Sequence, residues 1–189
     1  MTPPELATRL ADGTPVILRP VRPGDARLLV DGFRRLSPDS VRARFLAPVT
    51  RLGDAELRAL VDVDHSDRIA WGALHAEIPD LGLGVARCAR LPGEPRVAEV
   101  AVTVVDDYQG RGLGSLLFQL LAATARSARV ERFRAYVLPD NVRVRRAAER
   151  HGATATLEAP GLLRYEVSLW DVPAPRLPVV AAGLRAAGA

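Results

Sequence analysis

The chain of 189 residues fits one domain of ordinary size, and its 48% hydrophobic and 25% charged residues are typical of a soluble globular protein. No apolar run approaches the roughly 20 residues that span a bilayer, and no basic segment followed by an apolar one marks a secretion signal, so we expect a cytoplasmic protein without membrane contact. All 26 basic residues are arginine, and the net charge of +4 suits an anionic ligand but does not indicate a nucleic-acid surface.

The N-terminal third is predicted to contain one strand and several helices. We expect a short helix over 4–10 and, after the turn at Asp12 and Gly13, a strand over 15–23. Apolar residues at helical spacing predict three further helices, which lie over 26–36, from Ser37 onward and over 54–63.

Three antiparallel strands are predicted next, over 68–78, 81–91 and 97–105, with turns rich in proline and glycine between them. The middle strand holds the single cysteine, Cys88, whose apolar neighbours favour a buried position. Trp71, Phe118 and Trp170 are expected in the core or on a sheet face.

The C-terminal half begins with a core-facing helix, because Leu113, Leu116, Leu117, Leu120 and Leu121 repeat at helical spacing. A strand over 132–139, a helix after Asn141 and a closing hairpin over 153–170 complete the pattern. Antiparallel pairing combined with one strand–helix–strand crossover predicts an α+β, or mixed α/β, fold. We expect one domain over 1–172 and a loosely held tail over 173–189 that is rich in proline, alanine and glycine.

A glycine-rich loop, QGRGLGS, joins the third of these strands to the leucine-rich helix. Glycines let successive main-chain N–H groups point into one concavity, and the helix N-terminus adds unpaired donors, so the loop predicts a phosphate site. The dinucleotide fingerprint fails here, since Ser115 or Leu117 stands where its third glycine belongs, and the Walker A loop requires a lysine that the chain lacks.

The remaining pattern, Q/R-x-x-G-x-G/A, is satisfied by Gln109, Gly112 and Gly114. It resembles the loop of the GCN5-related N-acetyltransferases (GNAT) that holds the pyrophosphate of acetyl-CoA, and the resemblance extends over about 15–170. It implies the GNAT fold, a central, twisted and mostly antiparallel sheet of about six to seven strands flanked by helices. It also implies acetyl-CoA as co-substrate and no metal.

The N-terminal half is similar to the acetyltransferase domain of Pat-type protein lysine acetyltransferases, through LRPVRPGD, LSPDSVRARFLAPV and VDVDHSDRIA. Those enzymes acetylate a lysine of acyl-CoA synthetases and other proteins. We expect the domain to stand here without the additional domains that some of them carry. The resemblance implies a protein lysine acceptor. We expect either a monomer or a homodimer.

Acetyl transfer to an amine requires a base, because an alkyl ammonium with a pKa of about 10.4 must lose a proton before it attacks a thioester. Glu99 is the best candidate. Its strand is apolar at every second position from Ala98 to Val104, and Glu99 lies on the other face. A carboxylate in such a strand is costly unless that face opens to a cleft, where partial desolvation would raise its pKa. The Pat-type enzymes use the glutamate at this position as base, although pairing with an arginine on an exposed sheet face is the structural alternative.

By the same resemblance, Val102, Thr103 and Val104 offer main-chain hydrogen bonds to the pantetheine arm, with a local bulge that frees an amide for the thioester carbonyl. The pyrophosphate lies on the loop formed by Gln109, Gly110, Arg111, Gly112, Leu113, Gly114 and Ser115, and Arg111 can reinforce it. Asn141 contacts the pantetheine or the sulfur, or it only caps the next helix.

One position departs from the family pattern, since Ala148 stands where many members have the tyrosine that reprotonates the thiolate. Tyr108 and Tyr136 lie nearby in the sequence, and we assign both to packing. A thiol with a pKa near 8.5 can leave as thiolate without a dedicated acid.

An acidic turn formed by Asp62, Asp64 and Asp67 around His65 either attracts a substrate lysine or is a solvated, capping turn. The three histidines, His65, His75 and His151, show no metal-ligand spacing.

Three functions remain open from the sequence. The first is an acetyl-CoA-dependent protein lysine acetyltransferase. The second is an enzyme of the same chemistry that acts on a small amine, and the third is a non-catalytic module that senses acyl-CoA. Ala148 gives the sensor some support, whereas Glu99 counts against it.

Overall fold

The computed structural model describes residues 4–175, so nearly all of the tail expected over 173–189 lies outside the described residues. One sheet of eight strands forms the centre, in the order β1-β2-β3-β4-β5-β6-β8-β7. Its strands are β1 Leu6–Arg9, β2 Pro15–Pro20, β3 Arg68–His75, β4 Gly82–Leu91, β5 Glu94–Val104, β6 Arg132–Val137, β7 Thr154–Ala159 and β8 Leu162–Ser168. The predicted mixed α/β class is confirmed, with slightly more strands than expected.

The helices flank this sheet, and their bounds are α1 Ala26–Arg34, α2 Pro38–Phe45, α3 Asp54–Val61, α4 Leu113–Ser127 and α5 Val142–Arg150. Ser37 caps α2 as its sequence predicts, because its side chain accepts a hydrogen bond from the main-chain N–H of Ser40 at 3.2 Å. No helix within residues 4–175 combines the length and the apolar character that crossing a membrane requires.

The main core lies between α4 and the sheet. The leucine repeat of α4 is buried there, with Leu113, Leu117 and Leu121 almost completely excluded from solvent. Trp71 of β3 is also buried, and its indole N–H donates a hydrogen bond of 3.0 Å to the Thr124 hydroxyl of α4. The position of α4 is therefore set by apolar burial and by directional contacts, which also include hydrogen bonds from Arg126 to the main-chain oxygens of Leu169 and Val172.

Strand β5 is paired on both edges over only part of its length, and this feature creates the cleft described below. It pairs antiparallel with β4 over most of its residues, but its parallel pairing with β6 is confined to Val97–Glu99 opposite Arg132–Arg134. Beyond Glu99 the two strands separate, while β6 continues beside β8. The separation leaves one edge of β5 unpaired between Val100 and Val104.

Two sequence predictions are wrong at the ends of the described chain. Leu6–Arg9 is a strand rather than part of a helix, because it pairs with Pro15–Leu18 through the turn at Asp12 and Gly13 and buries Thr8 and Leu10. Trp170 is 74% exposed, because it lies in the turn that follows the end of β8 at Ser168, whereas the neighbouring Leu169 and Val172 are buried in the core.

Candidate active site

The space between the separated strands is a cleft of about 510 Å³. Its walls are the unpaired edge of β5, the glycine-rich loop, the first turns of α4 and α5, and the facing parts of β6 and β8. The volume is in the range of small-molecule sites. The cleft brings together most of the residues that the sequence predicted as a cofactor site.

The glycine-rich loop forms one end of the cleft. Gly110 and Gly112 have φ values of 78° and 87°, a left-handed conformation that residues with a Cβ adopt rarely. Gly112 is the N-cap of α4, so the unpaired N–H groups of the first helical turn lie at the cleft, where Gly114 and Ser115 also line it. The loop therefore presents main-chain donors and the positive end of a helix dipole to this space, as an anion site requires.

Gln109 connects the loop to its surroundings. Its side-chain amide donates hydrogen bonds to the main-chain oxygen of Val104 at 3.0 Å and to the Ser40 hydroxyl at 3.2 Å. Its side-chain oxygen accepts a hydrogen bond from Arg143. Gln109 lines the cleft, but all of its side-chain groups hold protein partners, which makes it a positioning residue for β5, α2 and α5.

Arg111 makes contacts within the protein in this structure, and its reinforcement of the phosphate site stays a prediction. The guanidinium donates to the Asp12 carboxylate at 2.8 Å and to the main-chain oxygen of Asp107 at 2.7 Å, and it lies over the Tyr108 ring at 4.7 Å. It does not line the cleft. Leu113, also predicted for the cofactor site, is 1% exposed and belongs to the core.

Main-chain groups of β5 face the cleft at alternate residues. Val105 donates its N–H to the Leu83 oxygen of β4 at 3.0 Å, and main-chain groups alternate sides along a strand. Those of Val102 and Val104 therefore point away from β4 and toward the cleft, whereas those of Thr103 point toward β4. The expected bulge is absent between Ala98 and Val104, where the register with β4 is continuous.

Glu99 lies at the point where the cleft begins. It is the last β5 residue paired with β6, and Val100, directly after it, is the first β5 residue that lines the cleft. Its side chain is exposed, so the partial desolvation expected for it is not present in this structure. The carboxylate forms no ion pair with any residue of the range 4–175, and the arginine-paired alternative is therefore not observed.

The opposite wall carries Asn141 and Ala148. Asn141 caps α5, because its side-chain oxygen accepts the N–H of Val144 at 3.2 Å, and the residue also lines the cleft. Ala148 lines the cleft as well, at the position where the family pattern has tyrosine. Tyr136 and Tyr165 both reach this wall, and the Tyr165 hydroxyl lies 3.4 Å from Arg145 Nε.

The acidic turn lies outside the cleft and is occupied by internal contacts. One oxygen of Asp64 accepts three main-chain N–H groups, from Ser66, Asp67 and Arg68. Arg68 also pairs with Asp62 at 2.8 Å, and Asp67 pairs with Arg90 at 2.8 Å. These contacts stabilise the turn, and a role in substrate attraction stays a prediction.

Cys88 is buried, as expected, and burial raises the pKa of its thiol to about 12, which disfavours a nucleophilic role. His151 lines the cleft near the Phe118 ring, and burial, followed by the charge of Arg150, lowers its pKa. Within residues 4–175 no group of three or more histidine, cysteine or acidic side chains is placed to hold a metal ion.

Sequence reasoning missed three residues of the site, Ser40, Arg44 and Arg143, all of which line the cleft. Arg143 follows Asn141 by two residues in the first turn of α5. Its position beside a predicted cofactor-binding residue was the sequence feature that could have identified it as part of the site. Ser40 and Arg44 come from α2, which lies far before β5 in the sequence, so only the tertiary packing of α2 brings them to the cleft.

Comparison with known proteins gives a consistent result. The family model described as an acetyltransferase (GNAT) domain matches residues 16–154. The acetyltransferase Pat of Mycolicibacterium smegmatis is 40% identical over 160 residues, which cover 82% of this chain and 45% of that protein. The acetyltransferase PA5475 of Pseudomonas aeruginosa is 37% identical over 118 residues, which cover 62% of this chain and 63% of that protein. This chain thus spans less than two thirds of the length of either relative.

Among solved structures, the crystal structure of the GNAT domain of S. lividans PAT is similar with a TM-score of 0.80 and 31% sequence identity. The match covers 87% of this chain and 96% of that domain.

Proposed function

Because the chain belongs to the GNAT acetyltransferase family, we propose that it moves an acetyl group from acetyl-CoA to the lysine amine of a protein, with Glu99 as general base. The observation that carries this proposal is the separation of β5 from β6 directly after Glu99. A carboxylate at the mouth of a cleft with a helix N-terminus at its other end combines a proton acceptor with an anion site. These are the two features that the reaction needs.

The acyl-CoA would lie along the unpaired edge of β5. Its pyrophosphate would accept hydrogen bonds from the main-chain N–H groups around Gly112 and Gly114. Arg143 at the first turn of α5 would add positive charge near the same end. The main chain of Val102 would hydrogen bond the pantetheine arm, so that the thioester reaches the level of Val100 and Glu99.

The chemistry needs one proton acceptor from the protein. Glu99, directly or through a water, takes a proton from the acceptor ammonium, and the neutral amine attacks the thioester carbon. A C–N bond forms, the C–S bond breaks and the CoA sulfur leaves as thiolate. The second proton that the attacking nitrogen loses passes to this thiolate, directly or through water, which yields the amide and free CoA thiol. With a thiol pKa near 8.5, this leaving group needs no tyrosine at the position of Ala148.

A protein lysine is the proposed acceptor because of the resemblance to Pat-type enzymes in the N-terminal half, and an acyl-CoA synthetase is the first acceptor to test. Ala148 favours a second candidate, a module that binds acyl-CoA without turning it over. The absence of a side-chain acid at that wall position would matter less to a sensor than to an enzyme.

The test measures free thiol released from acetyl-CoA with three acceptors, namely an acyl-CoA synthetase, lysine peptides and small amines. We expect Glu99→Gln to lower turnover by about 10²–10⁴-fold, the usual contribution of a general base, with an unchanged Kd for acetyl-CoA. Glu77→Gln is the matched control, because Glu77 is exposed in the β3–β4 connection and does not line the cleft.

Each other outcome has a distinct meaning. Full activity of the Glu99→Gln protein would show that another group is the base. Release of free thiol with small amines alone would show that the acceptor is a small amine and not a protein lysine. Tight acetyl-CoA binding without release on any acceptor would favour the sensor.

A further inference from the structure

Two arginines next to Glu99 have no carboxylate partner. Arg44 lies in the last turn of α2 and Arg87 lies in β4. Across residues 4–175, neither guanidinium forms an ion pair, although nearby Arg134 of β6 pairs with both Glu94 and Glu166 at 2.7 Å. Arg87 donates one hydrogen bond, to the main-chain oxygen of Ala59 at 2.9 Å, and the Arg44 guanidinium lies 5.0 Å from the centre of the Phe45 ring.

The strand register brings these charges to the face that carries Glu99. Arg87 is directly opposite Ala101 in the β4–β5 pair, and side chains of directly paired residues leave the same face of a sheet. Glu99 is two residues from Ala101 and therefore lies on that face as well. Two guanidinium groups thus accompany one carboxylate on this face of the sheet, which leaves a local excess of positive charge.

Both guanidinium groups are partly buried. Desolvation lowers the pKa of Arg44, and the charge of Arg87 lowers it further, whereas Glu99 acts in the opposite direction. Desolvation is also the largest cause that lowers the pKa of Arg87. Burial of an unpaired cation costs free energy, and a bound anion would offset this cost.

A second, smaller cavity adjoins the cleft at this place. It has a volume of about 100 Å³ and lies between the sheet and helices α1, α2 and α3. Arg87 lines it, while Arg44, Ala101 and Thr103 line both this cavity and the cleft. The smaller cavity therefore meets the cleft at Arg44, on the face of β5 that carries Glu99.

We propose that Arg44 and Arg87 bind a carboxylate of the acceptor, supplied by an aspartate or glutamate next to the lysine that is acetylated. This inference rests on the proposed acetyl transfer and adds the chemical class of its acceptor. A cavity of about 100 Å³ is smaller than sites that enclose a whole small molecule, but it accepts one side chain. Guanidinium groups bind carboxylates through charge-assisted hydrogen bonds. The anionic neighbour also compensates the local positive charge, which otherwise disfavours the approach of an ammonium.

The test compares pairs of lysine peptides that differ only in a flanking glutamate or glutamine. We expect kcat/KM to be about tenfold higher for the glutamate peptide, and this ratio to fall as ionic strength rises. Arg87→Gln should reduce the ratio to about one to three, because it removes one of the two binding charges. Arg44→Gln should reduce the ratio to the same extent. We expect the Arg87→Gln protein to keep its acetyl-CoA affinity, which would show that its fold is intact.

Arg27→Gln is the matched control for net charge. Arg27 lies in α1 with 91% of its side chain exposed and pairs only weakly with Asp31 at 3.7 Å. This variant should keep the tenfold ratio. A loss of preference in the control would assign the effect to the overall charge of the protein and would overturn the proposal.

A binding measurement separates this inference from the proposed function. Fluorescence anisotropy with the acetylated product peptides, in the presence of CoA, reports the glutamate preference without turnover. Equal affinity for the glutamate and glutamine peptides would overturn the carboxylate site, even where acetyl transfer through Glu99 is intact. If the protein preferred free amino acids over their amides but bound the glutamate and glutamine peptides equally, the acceptor would not be a peptide, and the proposal would be overturned. Preferential binding of the glutamate peptide without any acetyl transfer would support the site and refute the proposed activity.

Discussion

The side-chain amide of Gln109 donates a hydrogen bond of 3.0 Å to the main-chain oxygen of Val104, five residues earlier in the chain. This contact joins the glycine-rich loop to the unpaired edge of β5. The same amide reaches Ser40 of α2, and the side-chain oxygen accepts from Arg143 of α5. One side chain therefore fixes three walls of the cleft relative to the loop.

The first prediction concerns this contact. Gln109→Leu keeps the approximate size of the side chain but removes its donors and its acceptor. We expect the Kd for acetyl-CoA to rise about tenfold, since the loop and β5 lose a shared partner that held them in the binding geometry. Isothermal titration calorimetry measures this change directly.

Gln119→Leu is the control for that substitution. Gln119 lies in α4, outside the residues that line the cleft, and its side chain has no hydrogen bond to any residue of the described range. It should leave the Kd unchanged. An unaltered affinity in the Gln109 variant would show that the loop keeps its geometry without this residue.

The second prediction concerns Gly84, where β4 approaches β5 closely. A Cβ at this position would lie 2.8 Å from the main-chain oxygen of Thr103 and 3.3 Å from side-chain atoms of Leu117 and Val104. Because a main-chain atom cannot move without shifting β5, Gly84→Ala should lower the free energy of unfolding by about 1–3 kcal/mol. Urea denaturation followed by circular dichroism measures it.

Gly32→Ala is the same chemical change, but we expect it to raise the free energy of unfolding. Gly32 lies inside α1, and a Cβ there would meet no atom within 4 Å. Alanine in a helix interior should raise the stability by about 0.5–1 kcal/mol. If both variants were equally stable, the close contact between Gly84 and Thr103 would not constrain β5.

Much of the site follows from local sequence, because its parts are adjacent in the chain. The strand that holds Glu99, the glycine-rich loop and the leucine repeat of α4 lie within 97–127, and each has its own periodicity or turn chemistry. Their order predicts a helix N-terminus beside a strand end. The anion site therefore needed no knowledge of distant contacts.

Other features depend on residues that are far apart in sequence. Arg111 belongs to the loop by position, yet its guanidinium pairs with Asp12, 99 residues away, and leaves the cleft. Arg44 and Arg87 meet near Glu99 only because α2 packs on that face of the sheet. The segment Leu6–Arg9 is too short for its period to distinguish a helix from a strand, and pairing with β2 decides the outcome.

The third prediction concerns Asp106, which attaches α2 to the end of β5. Its carboxylate accepts the Ser37 N–H at 3.0 Å, the Ser37 hydroxyl at 2.8 Å and the Ser40 hydroxyl at 2.9 Å. Burial alone raises the pKa of Asp106, but the hydrogen bonds from Ser37 and Ser40 outweigh it, and the net pKa is lowered. Asp106→Asn retains one acceptor oxygen and loses the charge, so it should cost about 1–2 kcal/mol of unfolding free energy at pH 7.

The pH dependence of this loss has a definite sign. A carboxyl whose pKa is lower in the folded protein stabilises the fold above its unfolded pKa of about 3.9, and this contribution disappears as the pH falls through the folded pKa. The difference in unfolding free energy between wild type and Asp106→Asn should therefore be constant above about pH 5 and shrink below about pH 4. Asp107→Asn is the control, since 79% of that side chain is exposed and its carboxylate pairs, among the described residues, only with Arg35, at 3.9 Å. Chemical denaturation at a series of pH values measures the difference in unfolding free energy. A difference that does not change with pH would show that the Asp106 charge does not hold α2 on the sheet.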